Sequence, residues 1–166
     1  MKQQNKRRIA TLLRRAPWAG YIAQALWRMW QPWVTVGAVG VIFNDDGRLL
    51  VVEHVFHPKF PWGLPGGWMA RNEDPDQTVW REVHEETALR IKVVKPLLIA
   101  HTAWLPRHLD LAYLCYASRD AGEIRLSSEL LAYQWIDPVQ CPPMALFHKR
   151  AVEAALAERA STPVTP

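Results

Sequence analysis

A chain of 166 residues, 49% of them apolar, is long enough to bury one well-packed core and leaves little for a second domain. Its net charge of +4 averages two unlike parts: residues 1–33 carry seven basic and no acidic side chains, which leaves 13 basic against 16 acidic in residues 34–166, a net of −3. Two distant cysteines, Cys115 and Cys141, with no C-x-x-C spacing exclude a disulfide framework and read as reduced thiols of a cytoplasmic protein.

Residues 1–8 are polar and basic. Ile9, Leu12, Leu13 and Ala16 recur at helical spacing, and Pro17 then kinks that helix or starts a new one. From Trp18 to Trp30 a broad apolar face carries Trp18, Ile22, Ala25, Leu26 and Met29, and Pro32 ends the run. Four tryptophans fall in these few residues: Trp18, Trp27, Trp30 and Trp33. Several readings of this extension stand side by side. It packs on the domain or across a homodimer, or it lies as a basic interfacial helix on the inner face of a membrane. A spanning helix or signal peptide is a weaker reading, because Gln24 and Arg28 interrupt the apolar run. No specific nucleic-acid partner follows from a basic tail alone.

Val34 to Phe43 is rich in β-branched residues and predicts a strand. Asn44-Asp45-Asp46-Gly47 predicts a turn, and Arg48 to Phe56 the returning strand of a hairpin. Unbroken apolar runs in both imply strands covered on two faces. His54 and His57 close the hairpin, either as ordinary polar residues or as contacts to substrate. A short strand around Trp68-Met69 precedes a helix from Pro75 or Asp76 to Thr87, with Asp74 as its N-cap. Trp80, Val83 and Thr87, with Val79 beside them, form the predicted core face of that helix. Strands follow at Ile91–Ala100, with Pro96 at a bulge, at Leu109–Ala117, at Glu123–Leu126 and at Leu131–Ile136. A last helix runs from Met144 or Ala145 to Arg159, and residues 161–166 form a disordered tail. The order predicts an α+β sandwich with a mixed sheet between helical layers, residues 34–160, preceded by the helical extension 1–33.

One stretch carries chemistry. Arg81, Glu82, Glu85 and Glu86 fall within one turn and a half of the predicted helix, and the three glutamates point within roughly 50° of one direction. Like charges at such spacing repel. An oxygen-only carboxylate cluster suits a hard cation, Mg²⁺ or Mn²⁺, rather than zinc. Beside a glycine turn that frees a main-chain oxygen, it can hold a polyphosphate and acidify a bound water. That points to phosphoryl or nucleotidyl chemistry.

The spacing Gly67, five residues, Glu73, seven residues, Arg81-Glu82-Val83-His84-Glu85-Glu86-Thr87-Ala88-Leu89 closely resembles the Nudix box, G-x5-E-x7-R-E-U-x-E-E-x-G-U with U aliphatic. Only Ala88 departs, where the motif has glycine, and the lead-in Trp62-Gly63-Leu64-Pro65-Gly66-Gly67 also fits. The resemblance implies the Nudix α/β/α sandwich and a hydrolase of a nucleoside diphosphate linked to another moiety, of ADP-ribose, nucleotide-sugar, dinucleotide or (d)NTP type. It implies Glu82 and Glu86 as principal metal ligands, Glu85 as a further ligand or the base, the Gly66 carbonyl as an added ligand, and Arg81 with Glu73 as an orienting pair. Glu129 is the glutamate outside the box that would complete the metal site or take a proton from water; the plainer reading is an exposed loop residue. Trp104, Leu105 and Pro106 match neither of two known subfamily signatures; Trp104, with Arg107 and His108, is a candidate to stack on a base and contact phosphate. Two other readings are a catalytically silent Nudix domain that senses nucleotides or binds protein, and an isoprenoid diphosphate isomerase. The intact Arg81/Glu82/Glu85/Glu86 set argues against the first, and the setting of the two cysteines against the second.

Overall fold

The computed structural model describes residues 11, 17–31, 33–101 and 105–161. The chain divides into two units, residues 1–33 and 34–166. In the first, α1 (Pro17–Trp30) begins on proline, whose missing N–H would be unsatisfied in a first turn in any case.

The second unit is built on β1 (Thr35–Asn44), a ten-residue strand of Val, Ile, Phe and small residues. Asn44 makes the turn that follows: its side-chain oxygen accepts from the Arg48 N–H at 2.8 Å and its carbonyl from Gly47 at 2.9 Å. The chain returns as β2 (Leu49–His54), then β3 (Trp62–Gly63) and β4 (Gly66–Trp68). Helix α2 (Pro75–Thr87) follows, then β5 (Lys92–His101), β6 (His108–Ala117), β7 (Leu130–Ile136) and α3 (Leu146–Ser161). β1 lies parallel to β6 along its whole length and antiparallel to β4 on its other edge. β5 extends the sheet beyond β6, and β2 pairs with both β3 and β7. The β5–β6 register slips between Pro96 and Leu98, where proline has no N–H to give the ladder.

Alternation along β1 splits the core in two. Ala38 and Ile42 meet Val79 and Val83 of α2, while Val39, Val41 and Phe43 meet Ala151, Val152 and Ala155 of α3. A mixed sheet between helices is the α+β sandwich predicted above. Val79 and Val83 are wholly buried, and at about 2 kcal/mol each they fasten α2 to the sheet.

Three expectations need correction. Residues 123–126 form no strand: the Arg125 N–H donates to the Thr87 carbonyl and Ser127 to Glu86, both at 2.9 Å, so this segment caps the C-terminal end of α2. Trp80 is not core; it lies on the flank of the buried stripe, half-exposed, its ring stacked on His84 at 5.6 Å. Thr78 is buried in its stead. Ser161 belongs to α3 rather than to a tail; residues 162–166 lie outside the described residues.

At the end of α2, Ala88 sits in the left-handed conformation (φ 60°, ψ 5°), its N–H donating to the His84 carbonyl at 2.8 Å. The helix therefore stops where the motif's glycine would stop it, and the alanine Cβ bears about 1 kcal/mol of strain. Ala88→Gly should stabilise the protein by about 0.5–1 kcal/mol and raise Tm by about 1–4 °C in a thermal melt. An unchanged or lower Tm would show that the left-handed alanine is not strained here.

Candidate active site

The loop before α2 and its first turn are tied together by Glu73. Its carboxylate accepts from the Ala70 N–H at 2.9 Å, the Thr78 hydroxyl at 2.8 Å and the Arg81 guanidinium at 2.7 and 2.9 Å. Those donors, Arg81 first, hold its pKa down at about 2. Arg81 is thereby fixed on one side by a two-pronged pair and raised in pKa. With its remaining donors it reaches the Trp68 carbonyl at 3.1 Å, Glu82 at 2.8 Å and Glu85 at 3.1 Å.

Three glutamates of one helix end in three environments. Glu85 is exposed and half-buried Glu82 lies against Gly67, where a Cβ would come within 2.5 Å of its carboxyl group. Glu86 lies 60° around the helix from Val83, on the border between the acid face and the core, and is only 6% exposed. It accepts from the Gly66 N–H at 2.9 Å. Burial chiefly raises its pKa to about 8; the Gly66 N–H opposes this, and the charges of Glu82 and Glu129 add to it. Glu82 is also raised, by burial first, with Arg81 opposing and Glu85 and Glu129 adding.

Glu129 reaches this field because residues 125–127 are strapped to the end of α2, and because its carbonyl accepts from the Val55 N–H at 2.9 Å. It is exposed. Sequence spacing places Glu129 more than forty residues from Glu86; the two backbone bonds of Arg125 and Ser127 to the helix end bring it back.

The donor set suits a hard divalent cation: it is oxygen-only, and a cation would offset both the burial of the Glu86 carboxylate, the chief cause of its raised pKa, and the smaller repulsion from Glu82 and Glu129. With Arg81 drawing Glu82 and Glu85 to itself, no three described His, Cys, Asp or Glu side chains converge closely enough to hold one ion in this arrangement. The Gly66 N–H is the atom that meets Glu86, and its carbonyl remains an expectation.

Other predicted positions resolve differently. Trp104 lies outside the described residues. His108 is a buried residue of β6, bonded to Thr35 at 2.8 Å and Asp110 at 3.1 Å, and the half-exposed Trp68 ring lies 4.6 Å from it. This Trp68–His108 pair, beside the Arg81-held carbonyl, is a feature that no local sequence pattern signals. Cys115 is buried with its thiol pKa pushed up by burial, unsuited to nucleophilic chemistry.

His54 and His57 contact each other at 4.7 Å, and a third histidine, His148 of α3, joins them. His148 Nδ1 accepts from the Leu64 N–H at 3.0 Å, so the neutral ring carries its proton on Nε2. His54 Nε2 is buried without a hydrogen-bond partner among the described residues. Burial first, then the neighbouring histidines, lowers His54 and His148 to about 4. A lowered histidine stabilises the fold above its unfolded pKa and loses that contribution as pH falls. Stability should therefore drop between about pH 6.5 and 4, by about 3 kcal/mol through His148 alone. Glu86, raised to about 8, acts in the opposite sense over this range and His54 in the same sense, so the comparison is between proteins: from pH 7.5 to 4.5 the Tm of His148→Asn, which keeps the acceptor, should rise relative to that of wild type. Equal slopes in both proteins would remove His148 as the cause.

Comparison with known proteins identifies the family of the chain. The NUDIX domain model matches residues 33–155. A MutT-like protein of Streptomyces ambofaciens is 35% identical over 107 residues, covering 64% of this chain and 66% of that protein. The NAD-capped RNA hydrolase NudC of Vibrio parahaemolyticus is 28% identical over 107 residues, covering 63% of this chain and 40% of that protein. The match thus spans about two fifths to two thirds of the length of these curated relatives. The crystal structure of an ADP-ribose pyrophosphatase from Streptococcus suis superposes with a TM-score of 0.63 at 25% identity, covering 78% of this chain and 93% of that one. A glycine-backed carboxylate helix on a mixed α+β sandwich, matched over most of its length by one family model, makes this chain a member of the Nudix family.

Proposed function

We propose that this protein is a divalent-cation-dependent pyrophosphohydrolase that cleaves the diphosphate of a nucleoside diphosphate linked to a second moiety, by attack of water on phosphorus. The observation that carries this reading is the acid face of α2, on which the Gly66 amide meets the buried Glu86 carboxylate and Arg81 holds Glu82 and Glu85, with Glu129 on the segment strapped to the end of the same helix. Glu82, Glu86 and Glu129, with Glu85 and the Gly66 carbonyl as further oxygens, would hold Mg²⁺ or Mn²⁺; when bound, the ion neutralises the diphosphate and lowers the pKa of a coordinated water. Glu73 and Arg81 preorganise the acid face. Glu85, which is exposed, would act either as that further ligand or as the base that takes the water's proton.

Two relatives bear names that point to adenine-containing diphosphates, an ADP-ribose pyrophosphatase and an NAD-capped RNA hydrolase. ADP-ribose and NADH therefore head a hydrolysis panel that also contains diadenosine polyphosphates, nucleotide sugars and (d)NTPs. With Mg²⁺ or Mn²⁺ the full chain should turn over at least one linked nucleoside diphosphate, and EDTA should abolish the reaction. Absence of turnover on every compound, with binding of one of them, would replace the hydrolase by a nucleotide-sensing module.

A further inference from the structure

We propose that residues 1–33 hold this protein on the surface of an anionic lipid bilayer, with α1 lying in the plane of the interface. Charge is the first support. Seven Lys and Arg and no Asp or Glu stand in these 33 residues, on a chain whose remainder is net negative. A segment of that composition is drawn to a negative surface and repelled by none of its own carboxylates.

The second support is the distribution of side chains around α1. At 100° per residue, Trp18, Ile22, Leu26, Met29 and Trp30 fall in a sector of roughly 120°, and each is more than half exposed. The opposite side carries Gln24 and Arg28, flanked by Tyr21 on one side and Trp27 on the other. An apolar face of large side chains, a narrow polar strip and aromatic rings at the boundary between them is the arrangement of a helix seated at headgroup depth. There its indoles and phenol straddle apolar and wet layers. Fourteen residues give about 21 Å of helix, short of the roughly 30 Å hydrocarbon core, and no helix among the described residues is long and apolar enough to cross a membrane. The helix therefore lies on the bilayer. The arm contains none of the proposed site residues, so its binding is independent of the hydrolase reading.

Flotation of the full chain with vesicles tests it. Vesicles of phosphatidylcholine with 30% phosphatidylglycerol should carry the protein upward, and pure phosphatidylcholine should carry at least tenfold less. Leu26→Asp, which puts a charge in the centre of the apolar face, should lower the bound fraction at least tenfold. Arg14→Gln with Arg15→Gln, which leaves the helix face intact, should do so on anionic vesicles. Both variants should keep wild-type hydrolysis, or wild-type melting if no substrate is found, so a misfolded protein is recognised. Failure of the wild type to float with anionic vesicles would overturn the proposal. So would flotation unchanged by both variants. Tighter retention on a DNA duplex than on vesicles at equal salt would assign the charge to nucleic acid, and a switch from dimer to monomer in Leu26→Asp without vesicle binding would assign the face to a second copy.

Discussion

Glu86→Gln should yield a protein that is more stable and nearly inactive. The Glu86 carboxyl is almost wholly buried and its pKa is raised to about 8, burial being the first cause and the charges of Glu82 and Glu129 adding to it. A carboxylate whose folded pKa lies above its unfolded value favours the fold when protonated, so the metal-free protein loses stability as pH rises from about 4.5 to 8. At pH 7 this amounts to at most about 3 kcal/mol. Glutamine has the same shape, accepts the Gly66 N–H as the carboxylate does, and removes the buried charge. Without added metal its Tm should exceed that of wild type at pH 7 and stay level as pH rises. Hydrolysis should fall by about a hundredfold or more, because an amide is a poor substitute for a carboxylate on a hard cation. Saturating Mg²⁺ should reverse the order of stabilities, since it would bind the wild type and leave the variant unmoved. A variant that melts lower than wild type without metal, or that retains activity, would show that Glu86 is a structural residue.

That opposition between stability and activity follows from how α2 is built. Spacing alone showed the acid face, since three glutamates within five residues can point only one way on a helix. The degree of burial was not in the spacing. Glu86 is buried because Val79 and Val83 set the helix down on Ala38 and Ile42, and the border of that contact runs through Glu86 rather than beside it. The same tertiary contact put Trp80 outside the core: periodicity gives a face, and the sheet decides where the face ends. The β1–β2 hairpin, its Asn44 turn, the Asp74–Pro75 start of α2 and the Pro96 irregularity were legible because each is set by local chemistry. The segment 123–129 was not, since its apolar residues read as a strand while its N–H groups go to the orphan carbonyls of a helix distant in sequence. The histidine cluster and the Trp68–His108 contact arise the same way, from residues that only the closed sandwich brings together.

Adjacent glycines at the entrance to the site should respond to alanine in opposite ways. Gly66 has φ +149°, a conformation that residues with a side chain rarely adopt. A Cβ there would also run into the Ala38 carbonyl oxygen and come within 2.6 Å of the Val39 Cα, both main-chain atoms of the paired strand β1. Backbone cannot turn aside as a side chain can, so β4 would have to leave β1. Gly66→Ala should destabilise the protein by about 3 kcal/mol or more, from strain at a disallowed φ together with lost pairing. At Gly67 the obstacle is the carboxyl end of Glu82, 2.5 Å from where the methyl group would stand, and that end can rotate. Gly67→Ala should therefore stay within about 1 kcal/mol of wild type while pushing Glu82 out of place, with activity lowered at least tenfold because a shift of this size misplaces a reacting geometry. Chemical denaturation and hydrolysis rates measured on the two variants separate the effects. If Gly66→Ala folds as well as wild type, the close approach of β4 to β1 is not rigid. If Gly67→Ala keeps full activity, the Glu82 carboxylate does not need the space that glycine leaves.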